Sequence, residues 1–173
     1  MHGAAWRMAT SCRGVVLAAV LGVGACSSAD VVGGEVTGDA RFTATVTRVI
    51  DGDTIVVRYD DAKTDKVRLI GVDTPETHKP GVAVQCFGPQ AEQFTRSTLT
   101  GKRVRLELDR DERDRYDRLL AYVYVDGKRF EDELLRGGYA RHLAIRPNTR
   151  YAREFLALET SAKRDRKGLW NAC

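Results

Sequence analysis

The sequence predicts an α+β chain that is mainly β: an OB-type five-stranded barrel accompanied by three α-helices. Three observations carry this. Short segments alternate apolar and polar residues with period two, helix-period segments follow the third and fifth of them, and turn-forming residues punctuate every junction. Three strands, a helix, two strands and two helices is the order of an OB-type barrel, a fold that commonly presents a surface to oligonucleotides or oligosaccharides.

The first strand is RFTATVTRVI, residues 41–50, where Phe42, Ala44 and Val46 alternate with polar positions. DGDT follows as a hairpin signal, and TIVVRY and KVRLIGV continue as second and third strands around the polar turn DDAKTD. The period then changes. After Gly88 and Pro89, Phe87, Ala91, Phe94, Thr98 and Leu99 recur at helical spacing until Gly101, with Pro89 suited to the first helical position. RVRLEL and LLAYVYV restore alternation on either side of the charged DRDERDRYDR, and FEDELLRGG is a short helix closed by Gly137 or Gly138. In the last segment Asn148 or Thr149 is expected to cap a helix whose inner face is Tyr151, Phe155, Leu158 and Ala162, ended by Gly168.

The 173-residue length suits one domain with a real core, and the apolar fraction of 43% is ordinary for a globular chain. The first 25 residues stand apart. Arg7 and Arg13 are their only charges, and Val15 to Ala25 is an apolar, small-residue run too short to span a bilayer, which reads as a signal peptide over residues 1–25. The run ends in VGAC, so Cys26 matches a bacterial lipobox and would carry lipid; the other reading is an ordinary cleavage site beside a chance cysteine. Either way the product is exported, as an envelope lipoprotein anchored at a membrane surface or as a secreted protein. Residues 26–40, small, polar and glycine-containing, read as a flexible linker ahead of a folded domain at 41–173.

Removing residues 1–25 lowers Lys+Arg from 28 to 26 against 24 Asp+Glu, so bulk charge argues only weakly for a polyanionic partner. Cys86 and Cys173 are then the only thiols of the folded part; an even pair in an exported protein suggests a disulfide, the alternative being a buried Cys86 and a frayed Cys173. No cysteine or histidine cluster has zinc spacing, and neither a glycine-rich phosphate cradle nor a Ser/His/Asp set is present.

The chemistry concentrates in RLIGVDTPETHKPG, residues 68–81. If the first three strands form a meander, the DGD turn and the VDTPE end of the third strand meet at the barrel rim and gather Asp51, Asp53, Asp73 and Glu76. Such a cluster repels itself unless a cation sits in it, and carboxylates with a backbone carbonyl are the hard oxygen ligands calcium prefers. Arg68 lies on the same strand and Arg118 begins the fifth. Two guanidiniums beside a cation suit a phosphodiester's transition state; alternatively they only pair with the acids in an ion network.

VIDGDT, VRLIGVDTPE, FGPQAEQFT, DRYDRLLAYVY and GLW resemble, in order and spacing, the staphylococcal nuclease-like (thermonuclease) domain over about residues 41–171. The resemblance implies a calcium-dependent endonuclease acting on DNA and RNA and leaving 3'-phosphate products. It implies that Asp53 and Asp73 bind Ca²⁺ through carboxylates and Thr74 through its carbonyl, and that Glu76 holds, or also deprotonates, the attacking water. Arg68 and Arg118 would contact the phosphate, and Tyr116 would hydrogen-bond a terminal phosphate. Nothing demands more than a monomer or an obligate protein partner. The rival is a non-catalytic OB-fold nucleic-acid-binding lipoprotein, and a third idea is an envelope structural protein with a vestigial barrel; the intact acid and arginine set argues against both. Two departures stand out. Asp117 occupies a position where glycine is familiar and is expected to compete with phosphate for Arg118, and ARHLAIRPN lacks the aromatic residues expected near a nucleotide base.

Overall fold

The computed structural model describes residues 41–78 and 81–173. The expected signal peptide, the lipidation position Cys26 and the linker lie outside the described residues. Strands β1 (Arg41–Asp51), β2 (Thr54–Arg58) and β3 (Thr64–Leu69) form an antiparallel meander. β1 is long enough to serve two neighbours: Arg41–Thr45 pair with β5 (Arg103–Glu107), and Thr45–Asp51 pair with β2. Register irregularities between Val46 and Arg48 and between Val49 and Asp51 lie in the half paired with β2, where an extra residue bends a strand and increases its twist. β5 pairs antiparallel with β6 (Leu119–Val125), and β6 closes on β3 in parallel through Val67–Leu119, Arg68–Leu120 and Leu69–Ala121. Five strands thus close into the expected barrel.

Alternation explains the interior. Ala44, Val46, Ile55, Val57, Val67 and Leu106 are fully buried, while their sequence neighbours on the same strands are exposed or half-buried, except the buried polar residues Thr54 and Glu107 at strand ends. Two short elements have no sequence signature: β7 (Lys128–Arg129), which extends the sheet from β6, and a separate two-stranded pairing of β4 (Val72–Asp73) with β8 (Arg141–His142). The second matters for function, because it holds the chain leaving the third strand against the segment that follows α2 (Phe130–Gly137). Gly138 is the residue that closes α2, in the left-handed conformation.

α1 (Gly88–Leu99) begins with Pro89 in its first turn and buries Ala91, Thr95 and Leu99. Thr95 Oγ1 donates to the carbonyl of Gly52 at 2.7 Å, which fixes the β1–β2 turn from beneath. α3 (Ala152–Arg164) starts later than the sequence suggests, with Tyr151 rather than Asn148 or Thr149 at its N-cap, and ends at Arg164 rather than at Gly168. Asn148 is buried instead: its amide accepts from Asp111 N at 2.8 Å and donates to Asp111 O at 2.7 Å, so its hydrogen-bonding capacity goes to a loop. Phe155 and Ala162 form the buried face of α3, and α4 (Leu169–Ala172) carries Trp170 against Arg141 and Lys163.

The Sγ atoms of Cys86 and Cys173 are bonded, joining the loop before α1 to the C-terminal residue across a sequence separation of 87. Closing a loop of that size constrains the unfolded chain by roughly 4–5 kcal/mol in the chain-entropy picture. Among the described residues no helix is long and apolar enough to cross a membrane.

Glu131 is wholly buried on α2. One carboxylate oxygen accepts from Val123 N at 2.9 Å, and the other has no partner among the described residues. Burial pushes its pKa up from 4.5 to about 8. A raised folded-state value means that this group's contribution to stability is complete below the unfolded value and is lost as pH rises through about 8. Glu131→Gln, which keeps the acceptor for Val123, should therefore abolish this pH dependence: the parent loses on the order of a few kcal/mol of stability between pH 5 and pH 8 that the variant keeps. Parallel loss of stability with pH in variant and parent, followed by thermal melts, would show that Glu131 is not the group responsible.

Candidate active site

The rim is assembled around a buried carboxylate. Asp53 sits in the β1–β2 turn, 5% exposed, and its Oδ2 accepts from Thr74 N at 2.8 Å and Thr74 Oγ1 at 3.1 Å. Its Oδ1 accepts from Thr54 Oγ1 at 3.1 Å. Gly52 makes this approach possible. A Cβ there would lie 2.7 Å from the Thr74 side chain, and the glycine's φ is not in the left-handed region, so the requirement is space and not backbone freedom. The hairpin signal in DGDT thus marks a turn that must press flat against the strand end it serves.

Arg68 joins the acids. Its Nη2 lies 3.1 Å from Asp53 Oδ2 and 3.2 Å from Asp73 Oδ1, while Nη1 donates to the carbonyls of Leu69 and Val72 at 2.8 Å each. The guanidinium therefore braces the bend between β3 and β4 as well as facing the cavity. Asp73, more exposed, has its pKa raised by partial burial and by the neighbouring charges of Asp53 and Glu76, with Arg68 opposing. Burial, reinforced by the charge of Asp53, pushes Asp51 up to about 7. Four acids crowded at one rim favour any cation that can join them.

Glu76 is placed by its backbone. Gln85 closes a two-point clamp on it: Glu76 N donates to Gln85 Oε1 at 3.0 Å, and Gln85 N donates to Glu76 O at 2.9 Å. The disulfide to Cys173 starts at the next residue, Cys86, so the loop carrying Glu76 is tied to the C-terminus.

Arg118 enters from the other side of the cavity at the start of β6, and Asp114 holds it: Arg118 N, Nε and Nη2 all donate to the Asp114 carboxylate, at 3.0, 2.7 and 2.7 Å. Tyr116 is 65% exposed, with its ring beneath Arg118 and Arg115 and its hydroxyl accepting from Arg115 Nη2 at 2.7 Å. The expected competition from Asp117 is corrected by this geometry. Asp117 points away, its carboxylate 88% exposed and 3.6 Å from Arg113, and the carboxylate that engages Arg118 is Asp114.

These side chains face one cavity of 520 Å³, lined by Asp51, Asp53, Asp73, Glu76, Arg68 and Arg118, with Tyr116 at its edge. Thr74 is buried beside it and serves the site through its amide and hydroxyl contacts with Asp53. Where aromatic residues were expected and missing in the sequence, Leu143 and Ile145 line the same cavity, 37% and 64% exposed. His78, given no role by sequence, pairs with Glu92 outside the cavity. The donor set suits a hard divalent cation, because the described lining residues offer carboxylate and carbonyl oxygens and neither thiolate nor imidazole. Among the described residues no three His, Cys, Asp or Glu side chains converge tightly enough to cage an ion by themselves, so backbone and water oxygens would complete any shell.

Sequence reasoning missed Asp114, Gln85 and Asn148. Asp114 had a signal, four residues before Arg118, but it stood among so many charges that no pairing could be chosen.

An OB-type barrel with carboxylates and guanidiniums converging in one rim cavity defines a protein built to engage a phosphate ester. The chain matches the family described as Staphylococcal nuclease homologue over residues 66–172, and it belongs to that family. It is 45% identical over 129 residues to a thermonuclease of Staphylococcus hyicus, covering 75% of this chain and 76% of the relative. It is 46% identical over 129 residues to endonuclease YncB of Bacillus subtilis, covering 73% of this chain and 61% of that relative. Against a thermonuclease of Staphylococcus intermedius the identity is 44% over 125 residues, with coverage of 72% and 74%.

Asp117 is held at φ 61°, a left-handed conformation that costs most side-chain-bearing residues about 1–2 kcal/mol. Asp117→Gly should stabilise the fold by roughly 0.5–1 kcal/mol, relief of that conformation outweighing glycine's extra freedom in the unfolded chain. Denaturant titration measures this; an unchanged or lowered midpoint would mean that the pairing with Arg113 outweighs the strain.

Proposed function

We propose that this protein is an exported, calcium-dependent endonuclease that hydrolyses phosphodiester bonds of DNA and RNA and leaves 3'-phosphate products. The observation that carries the reading is the convergence of Asp53, Asp73, Glu76, Arg68 and Arg118 on one cavity from separate parts of the chain. The family relatives named thermonuclease and endonuclease support it.

Asp53 and Asp73 would hold the cation by carboxylate and Thr74 by its carbonyl. When bound, Ca²⁺ supplies charge that polarises the phosphoryl oxygens. Glu76 orients water for in-line attack on phosphorus and accepts its proton. Arg68 and Arg118 neutralise charge growing on the non-bridging oxygens, and the P–O5' bond breaks so that phosphate stays on the 3' side. Arg118 can serve this role without leaving Asp114, because its Nη1 has no hydrogen-bond partner among the described residues. Tyr116, exposed at the cavity edge, meets a terminal phosphate. The protein acts as a monomer outside the cytoplasm, with lipid on Cys26 tethering the domain to a membrane surface.

The test is digestion of single- and double-stranded DNA and of RNA with calcium or chelator, beside an Arg68→Ala, Arg118→Ala control against contaminating nuclease. Calcium-dependent cleavage absent from the control is the expected result; binding without cleavage would favour the non-catalytic lipoprotein instead. Glu76→Gln and Arg118→Ala should each lower the rate on the order of a hundredfold or more while the melting temperature stays near the parent's. Near-parental rates in both would sink the mechanism. Cys26→Ala should move the protein from membrane to soluble fractions with turnover retained, and continued membrane association would overturn the anchor.

A further inference from the structure

The reaction cavity does not end at the phosphate site. Arg146, one of its lining residues, also lines a second hollow of 690 Å³ between the segment following β8 and the first turn of α3. Arg146, Arg150 and Arg153 face this hollow, with Thr149 between them and Glu154 as its single acid. The charges are not equivalent. Glu154 is already neutralised by Arg129 at 2.7 Å, and Arg150 is engaged by Glu107 at 2.9 Å. Arg146 and Arg153 are exposed, and neither has a hydrogen-bond or ion-pair partner among the described residues. Two uncommitted guanidiniums therefore face a concave surface whose one carboxylate is taken.

We infer that this hollow is a second phosphate subsite, where the backbone of a single-stranded nucleic acid continues after leaving the reaction cavity, with Arg146 passing it from one to the other. The inference rests on the nuclease reading and extends it from one phosphodiester to a strand. Guanidinium forks match phosphate geometry, and the hollow offers no aromatic face, so contacts here hold the backbone and do not read bases. A strand followed this way is bound regardless of sequence, and binding there is salt-dependent because each phosphate neutralised releases counterions.

Arg153 separates this subsite from the reaction cavity, which it does not line. The test compares full-length parent, Arg153→Ala and Arg153→Lys for binding, in chelator, to fluorescent single strands of about 4 and about 16 nucleotides, the range of OB-fold site sizes. Arg153→Ala should weaken the longer strand several-fold more than the shorter, and should reduce the slope of log affinity against log salt by about 0.7, the value of one phosphate contact. Arg153→Lys should restore most of the slope. Arg136→Ala, which removes an exposed charge lining neither cavity, controls for loss of bulk charge. Equal effects on both strand lengths, or an unchanged salt slope, would overturn the subsite while leaving the nuclease reading in place. A parent that neither binds nor cleaves either strand would overturn both.

Discussion

The whole rim depends on the burial of the Asp53 carboxylate. A carboxylate with 5% exposure is tolerated only where hydrogen-bond donors and a counter-charge surround it, and Asp53 has three donors from Thr54 and Thr74 together with the Arg68 guanidinium. Those partners come from three places, the start of β2, the end of β3 and the chain just past β4, so a single side chain joins the β1–β2 turn to the strand end that carries Asp73, Thr74 and Glu76. Breaking such a buried cluster from one side leaves an uncompensated charge, which is why these residues form a unit and not a set of separable contacts. Gly52 admits the approach and Thr95 of α1 supports the turn from below.

The guanidiniums are positioned on the same principle but to different degrees. Arg68 spends both terminal nitrogens on the acids and on two carbonyls of the β3–β4 bend. Its pairing with the acids is the ion network that was one of the two readings left open by sequence, and the proposed mechanism asks the same guanidinium to meet phosphate as well. Arg118 is held on one edge only. Asp114 fixes its backbone amide, Nε and Nη2, leaving Nη1 without a hydrogen-bond partner among the described residues.

Most of the barrel was legible because its strands are long enough for alternation to repeat; β4, β7 and β8, at two residues each, contain no period to read. The loss was functional, since the β4–β8 pairing positions Asp73. Asn148 misled for a specific reason: asparagine before a helix usually caps it, whereas here its amide satisfies both backbone groups of Asp111. The acid and arginine types at the rim were readable from motif order, but which acid serves which arginine was not. Asp114 and Asp117 are equally plausible neighbours of Arg118 in the sequence, and only the left-handed turn at Asp117, which throws its side chain outward, decides between them.

Charge is deployed locally. With an excess of only two basic residues after the expected signal segment is removed, the chain has little long-range attraction for a polyanion. The cavity compensates by sorting its charges. Asp51, Asp53, Asp73 and Glu76 come from β1, the β1–β2 turn and the chain around β4, with Arg68 of β3 set among them; across the cavity Asp114 is taken up by Arg118, and Arg146 lines both this cavity and the second hollow. A bare polyanion would be repelled by Asp51, Asp53, Asp73 and Glu76 and drawn by the arginines. The same sorting that makes the acid side receptive to a divalent cation therefore makes cation and phosphate mutually supporting ligands: each offsets the charge that would exclude the other, and neither needs a strongly basic protein to bring it in.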